Sequence, residues 1–537
     1  MQAGHRTGEL EACVYVSRLL GEESSLVLYG GGNTSVKVKR DHEDLLYVKG
    51  SGADLAQAEA HDFTPVRLQP VRRLIDAAQL SNTELAQAVA RHVLGSGVPR
   101  PSIETLLHAV LPHRFVLHTH ADSILAVTNT EHGESIAADI FGALAPRVPF
   151  RESGFDLAKA AHEVYQAQAG AETIGLVLLH HGVFSFGDSA RSAYENMLEL
   201  VGLAEQFLRS RGAWKLGKST DAYDWNPAEV GALRRTLSCT AGFPLVLQLQ
   251  DTPELRAFAR NPHAASWWDQ GPATPQHAVF VKRKPLFGLG VEAYEREYRS
   301  DVAQYRPETD LRTLGLDPAP RMVIDPRLGI WAASIDAEHA RMTGEIFRHD
   351  VEIISRASGH DRYAGLPRAA ILDAEIHYGG FEAKARARYA EHDCLLGEVA
   401  LLACGTDKAP MARALASRGA EVAIVGPQTN PDATLSLNND ANSPKPAVRE
   451  LVRQVGGLDI LVLAPGWENW LSECVELLRY APRGGRIVLS GPPAWCATMR
   501  VSIGTKEGLS VRCNERSGPD SAFVQMCLPD ADTMDLA

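Results

Sequence analysis

The eight cysteines of this 537-residue chain, at positions 13, 239, 394, 404, 474, 496, 513 and 527, contain no Cys-x-x-Cys pair. That spacing offers neither a disulfide framework nor a thiolate zinc site, and it fits a reducing cytoplasm. No apolar run approaches the ~18–20 residues of a membrane span. The opening Met-Gln-Ala-Gly-His-Arg-Thr-Gly-Glu has no signal-peptide apolar core. There is no long Lys/Arg-rich run, and 54 basic against 66 acidic residues give a net charge of −12. That balance excludes generic binding to nucleic acid or anionic membranes, while leaving room for local phosphate pockets. Internal repeats and low-complexity segments are also lacking. What is there is a chain 45% hydrophobic, enough for large cores, with a length that implies about three domains.

Residues 1–220 alternate apolar strands with amphipathic helices. Ser25–Tyr29 reads as a short strand, followed by a Gly30-Gly31-Gly32-Asn33 turn. Ser35–Lys39 and Leu45–Lys49 read as a hairpin, from alternation and β-branched content. Asn82–Gly95 has helical periodicity. Phe115–His120 and Gly175–His181 are apolar runs ending in histidine, and Ser189–Arg209 is a long helix opened by a Ser or Asp cap. Residues 221–395 are expected to be an extension and connector, with loops at Asn261–Gln276 and helices at Ala337–Ile354 and Gly380–Glu391. From 396 to 537 the pattern changes. Strands are expected at Glu398–Cys404, Glu421–Val425, Asp459–Ala464 and Arg486–Ser490, with a helix at Lys408–Arg418. Such alternation predicts a parallel doubly wound sheet. Gly426–Lys445 is expected to be a flexible loop.

The strongest chemical signal is His118-Thr-His120 together with His181. Strand side chains alternate faces, so residues i and i+2 project the same way about 7 Å apart. A third imidazole from a neighbouring strand end would leave one coordination position for substrate, the pattern of catalytic zinc. His180 should point away from His181. Glu104, in Pro101-Ser102-Ile103-Glu104 near a helix start, precedes the His-x-His pair closely enough to act as a base. A carboxylate there can take a proton from a carbon made acidic by a metal-polarised carbonyl. Its alternative is an ordinary first-turn glutamate. Two small-residue turns, Gly30–Ser35 and Lys49–Gly52, would let backbone N–H groups approach an anion.

Together these elements resemble the class II aldolase/adducin family. The matching stretches are Tyr29–Ser35, Val48–Gly52, Pro101–Glu104, His118–Asp122 and Leu179–Gly182, within roughly residues 8–220. The resemblance implies an α/β fold with an α/β/α aldolase-like first domain, and Zn²⁺ held by His118, His120 and His181. It implies Glu104 as the acid/base, with Gly32, Asn33, Ser51, Gly52 and Ser102 on the substrate phosphate. Where many members have Ser-Ser-Glu, this chain has Ser-Ile-Glu, one hydroxyl fewer. The substrate implied is a small sugar phosphate, a ketose 1-phosphate of the rhamnulose, fuculose or 5-deoxyribulose type, yielding dihydroxyacetone phosphate and an aldehyde. A homo-oligomer is also implied. Decarboxylation or epimerisation at the same site, or a non-enzymatic adducin-like scaffold, are the competing readings.

Thr274–His277, Lys282–Lys284, Asp317–Arg321, Asp325-Pro326 and Leu328-Gly329 resemble the middle of fusion enzymes that join a rhamnulose-1-phosphate aldolase-like half to a short-chain dehydrogenase half, and Ala374–Tyr378 with Ala383-Lys384 resembles their junction. The second half departs from that pattern. Gly405-Thr-Asp-Lys-Ala409-Pro410-Met411 replaces Gly-x-x-x-Gly-x-Gly, and Pro410 removes an N–H. Ala464-Pro465-Gly466 replaces Asn-Ala-Gly. Ser490 could match the catalytic serine, but Ser502 stands four residues before Lys506, where a tyrosine is needed. The expectation is a truncated, Rossmann-like domain without dehydrogenase activity and without an assigned cofactor site.

Overall fold

The computed structural model describes residues 8–40, 42–307, 309–378, 380–389, 394–405, 408–426, 433–437, 443–503, 509–514 and 521–529. It divides into two compact units, each assembled from three stretches of chain. The first comprises Met1–Leu216, Gln270–Gln276 and His349–Ala370; the second comprises Gly217–Asp269, His277–Arg348 and Ile371–Ala537.

The first unit is built on a seven-stranded mixed sheet of order β3-β2-β1-β4-β7-β6-β5. Its strands are β1 Asn33–Arg40, β2 Glu43–Lys49, β3 Phe63–Arg67, β4 Phe115–Thr119, β5 Arg147–Val148, β6 Gly175–Leu178 and β7 Gly182–Gly187. The expected hairpin forms with Ser35 opposite Val48. Alternation along the strands supplies two cores. Val36, Val38, Leu117, Val177 and Val183 pack under helices Gly8–Glu22 and Ala190–Ser210. Leu46, Val48, Val116, Leu176 and Phe184 face the other way, toward Thr105–Val110 and Phe155–Gln168. The result is the expected α/β/α sandwich. Ser189 caps the long helix through a reciprocal box with Ser192.

Two local expectations fail. Ser25–Tyr29 is a turn, because Tyr29 takes a left-handed φ of 52° and ends any extended run. The helix at Asn82 stops at Ala90, and Val93 instead bridges Val66.

The second unit contains a four-stranded sheet and a six-stranded one. The four strands are β8 Val246–Gln250, β9 Leu286–Phe287, β10 Met322–Asp325 and β11 Gly329–Ser334. Asn261–Gln276, expected as loops, includes a short helix at Ala264–Trp268, and Pro275 opens another. The six strands are β12 Val399–Ala403, β13 Glu421–Val425, β14 Leu435–Leu437, β15 Ile460–Leu463, β16 Gly485–Ser490 and β17 Leu509–Asn514. All are parallel, in the order β14-β13-β12-β15-β16-β17. This is the doubly wound Rossmann order, with strand direction of travel reversing between β12 and β15. β14 and β17 were not apparent in the sequence pattern. Pro410 sits in the first turn of helix Lys408–Ala416, where its missing N–H has no helical partner to lose. Thr406, Asp407, Lys506 and most of the Gly426–Lys445 loop lie outside the described residues.

Candidate active site

Three imidazoles converge at one end of the first sheet. His118 is on β4, His120 follows that strand, and His181 ends the turn between β6 and β7. Their ring centroids are 4.9, 5.1 and 5.2 Å apart. One nitrogen from each lies within 4.8 Å of the others. The β6–β7 turn achieves this with two unusual backbone positions. His180 adopts φ 58° and is absent from the cluster, as expected for the neighbour of an inward His181. At Gly182 any Cβ would lie 2.2 Å from the Thr119 carbonyl oxygen, so only glycine lets β7 approach β4 there.

The hydrogen bonds fit a metal. His118 Nδ1 lies 3.1 Å from the Val183 carbonyl, which can only accept, so that nitrogen carries the proton. Nε2 is then the lone-pair nitrogen, and it is buried with no hydrogen-bond partner among the described residues. Burial pushes the His118 pKa down to about 3, favouring the neutral form that a metal ligand needs. His120 Nδ1 lies 2.9 Å from Gln276 Oε1, and Gln276 Nε2 donates to the Leu28 carbonyl at 2.8 Å. The second bond fixes the amide, so Oε1 faces His120 and accepts from Nδ1–H. Such an outer partner sets the tautomer of a metal-binding imidazole. Gly31 makes room, since a Cβ there would lie 2.4 Å from Gln276 Oε1. Gln276 was visible in the sequence only as part of the Thr274–His277 motif; nothing local connects it to a histidine 156 residues earlier.

Glu104 stands beside this cluster, immediately before helix Thr105–Val110. Its Oε2 lies 3.5 Å from His118 Nε2, and its Oε1 3.1 Å from His181 Nε2. Burial opposes its ionisation. The neighbouring His118 and His181 and the hydrogen bond from Asn33 outweigh that and hold the carboxyl well below its usual range. Asn33 Nδ2 donates to Glu104 Oε2 at 2.7 Å and to Ser102 Oγ at 3.2 Å.

The two small-residue turns meet: a Cβ on Gly30 would lie 3.3 Å from Gly52 Cα. Lys49, buried beneath them, donates to the Gly30 and Ala53 carbonyls at 3.3 and 2.5 Å. Burial lowers its pKa to about 8, against the pull of Asp54, Glu104 and Asp62. Gly32 turns with φ 58° under the His118 carbonyl. Ser51 and Gly52 are exposed, and the Ser51 N–H donates to the Arg100 carbonyl at 2.8 Å, tying this turn to the strand of chain carrying Ser102. Of the residues singled out from sequence, Glu104, Asn33, Ser102 and the three histidines therefore form one group, buried except for half-buried Ser102 and His120. Ser51 and Gly52 form an exposed turn leading to it.

Residues 11–208 match the Class II Aldolase and Adducin N-terminal domain, and residues 226–384 match Aldolase class II, second domain. The N-terminal Class II Aldolase domain of a conserved protein from Thermoplasma acidophilum is 35% identical, over 39% of this chain and 100% of that one, with a TM-score of 0.35. The chain belongs to the class II aldolase/adducin family. Among other class II aldolase structures, L-fuculose-1-phosphate aldolase from Thermus thermophilus is 19% identical over 38% of this chain and 95% of that one, with a TM-score of 0.26. A curated relative, the uncharacterized oxidoreductase YuxG of Bacillus subtilis (strain 168), is 28% identical over 389 residues, 66% of this chain and 55% of that protein. The chain thus spans about half the length of that relative. Among the described residues, no helix is long and apolar enough to cross a membrane.

At the carboxyl ends of β15 and β16, Pro465 is exposed and Trp495 is half-buried. A Cβ on Gly491 would lie 2.9 Å from the Trp495 ring and 3.0 Å from Pro465. Trp495 Nε1 donates to Glu468 Oε1 at 2.8 Å. Ser502 lies on helix Pro493–Ile503.

Proposed function

We propose that the first unit is a metal-dependent aldolase that cleaves a ketose 1-phosphate to dihydroxyacetone phosphate and an aldehyde, or runs the reverse addition. The observation that carries the reading is the convergence of His118, His120 and His181 with the Glu104 carboxylate against them. A bound divalent ion, Zn²⁺ in this reading, supplies a Lewis acid that polarises the substrate carbonyl. His118, His120 and His181 hold it as neutral imidazoles. Glu104, buried against the cluster, accepts and returns the proton at the reacting carbon. Gly32, Ser51 and Gly52 receive the phosphate, with Asn33 and Ser102 at the inner edge of the cradle. Buried Lys49 adds positive charge behind those turns. The protein works in the cytoplasm as a homo-oligomer.

We assign no hydride transfer to residues 396–537. Ser502 is too weak an acid to stand in for a tyrosine. The test of the aldolase reading is incubation of the metal-loaded chain with a panel of ketose 1-phosphates, scoring dihydroxyacetone phosphate. Release that stops on chelation supports it. Turnover to a decarboxylated or epimerised product instead would replace aldol cleavage with another reaction.

A further inference from the structure

Behind Glu104 runs a buried chain of hydrogen bonds that the aldolase reading does not itself require. His108 follows Glu104 by one helical turn and is fully buried. Its Nδ1 lies 2.7 Å from Ser35 Oγ, and its Nε2 meets Asn33 Oδ1. Asn33 and Ser35 are two apart on β1 and so face the same way. The ring is held edge-on to Phe184, 5.3 Å between centroids.

The sense of every bond follows from the far end. Asn33 turns its Nδ2 to both Glu104 Oε2 and Ser102 Oγ, 2.7 and 3.2 Å away, and that placement orients the carboxamide. Its Oδ1 then faces His108 and needs a donor there, which makes Nε2 the protonated nitrogen. Nδ1 is left as an acceptor, and the Ser35 hydroxyl donates to it. Donation therefore runs one way, from Ser35 through His108 and Asn33 to Glu104. With the ring reversed, Asn33 would present an oxygen to the carboxylate. The chain occupies Oε2 of Glu104, while Oε1 stands outside it, 3.1 Å from His181 Nε2.

We infer that His108 is a positioning residue: it locks the Asn33 carboxamide, which fixes Glu104 Oε2 and leaves Oε1 as the atom that moves the proton. The inference rests on the aldolase reading and deepens it. It gives Asn33 a task in holding the base as well as a place beside the phosphate.

The test compares His108→Phe, which keeps a ring against Phe184 but loses both nitrogens, with His108→Gln, whose amide can still donate toward Asn33. His108→Phe should lower kcat roughly tenfold or more, a part of what an acid–base group typically contributes. KM and metal content should stay within about twofold in the same series. His108→Gln should recover most of kcat. Because His108 acts through Asn33, the double variant His108→Phe/Asn33→Ala should be no slower than Asn33→Ala alone. Effects that multiply, or a rise in KM with kcat untouched, would overturn the inference. Nitrogen spectra of histidine-labelled, metal-free protein give an answer independent of turnover. A neutral Nε2–H ring for His108 that changes in Asn33→Ala supports the chain of bonds; an Nδ1–H ring overturns it. Absence of dihydroxyacetone phosphate from the wild-type chain would fail the aldolase reading alone, and the spectra would still decide the placement of the proton.

Discussion

Glu104 meets His118 and His181 while Gln276 meets His120, and their substitution should separate chemistry from metal affinity. Glu104→Gln removes the base but keeps the shape and the hydrogen bond with Asn33. We expect full metal content and a loss of about 10²–10⁴ in kcat, the usual contribution of an acid–base group. Wild-type exchange of the substrate α-proton in that variant would remove Glu104 from the role. Gln276→Ala leaves all three imidazoles but removes the amide that meets His120 Nδ1. Competition with a chromophoric chelator should show metal affinity reduced by about 10–100-fold, the typical cost of losing such a partner. The histidines and Glu104 could be picked out in the sequence because strand alternation and strand-end position are local patterns. Gln276 and His108 could not be given roles that way. One reaches the site across 156 positions, and the other, on a helix, matters through a bond to a residue on strand β1.

Buried ion pairs fasten the elements of the second unit, and they set its response to substitution and pH. Arg234, on helix Pro227–Ala241, donates to the Leu245 and Gly397 carbonyls and to both oxygens of Asp459. Asp459 also accepts from Val399 N at 2.7 Å, at the start of β12. Arg234→Met would strand a buried carboxylate, and urea unfolding should show a loss of about 3–5 kcal/mol. A change under about 1 kcal/mol would mean that water or another group compensates. Glu375, on helix Arg368–Tyr378, is a buried carboxyl held by a tyrosine hydroxyl. Burial raises its pKa from 4.5 to about 7, against the pull of Lys282 and the hydrogen bond from Tyr298 at 2.6 Å. A raised carboxyl pKa means the folded state binds the proton more tightly. The resulting stability is present below pH 4.5 and lost as pH rises to about 7. Glu375→Gln should therefore gain on wild type across that interval, by up to about 3 kcal/mol above pH 7. A difference in urea midpoint that does not vary with pH would rule out this titration. Helices and strands of this unit were legible where caps and apolar runs mark them, as at β12, β13, β15 and β16. Three-residue β14 was not, because so short a strand carries too little pattern to register.

Over the whole chain, what stands out is that neither compact unit is continuous in sequence. The first takes back Gln270–Gln276 and His349–Ala370 after the chain has left it. These segments are bound within it: Asn129 Nδ2 donates to the Ala273 carbonyl at 2.7 Å, and His349 Nδ1 meets Asp122 Oδ2 at 2.7 Å. Periodicity reads one stretch at a time, so it could place the aldolase-like pattern in residues 1–220 but not those later segments. A fragment ending at residue 220 keeps all three histidines yet lacks Gln276. Calorimetric titration with Zn²⁺ should find it weaker than the full chain by at least the roughly 10–100-fold expected for Gln276→Ala. Equal affinity would show that the returning segments do not serve the site. The same interleaving puts the site on a clock. A ribosome makes His181 roughly 95 residues before Gln276, which at about 5–20 residues per second is a wait of about 5–20 s. For that interval a nascent chain displays its full set of imidazoles before the Gln276 amide exists to meet His120, so the centre is assembled by the schedule of translation as well as by the energetics of the finished fold.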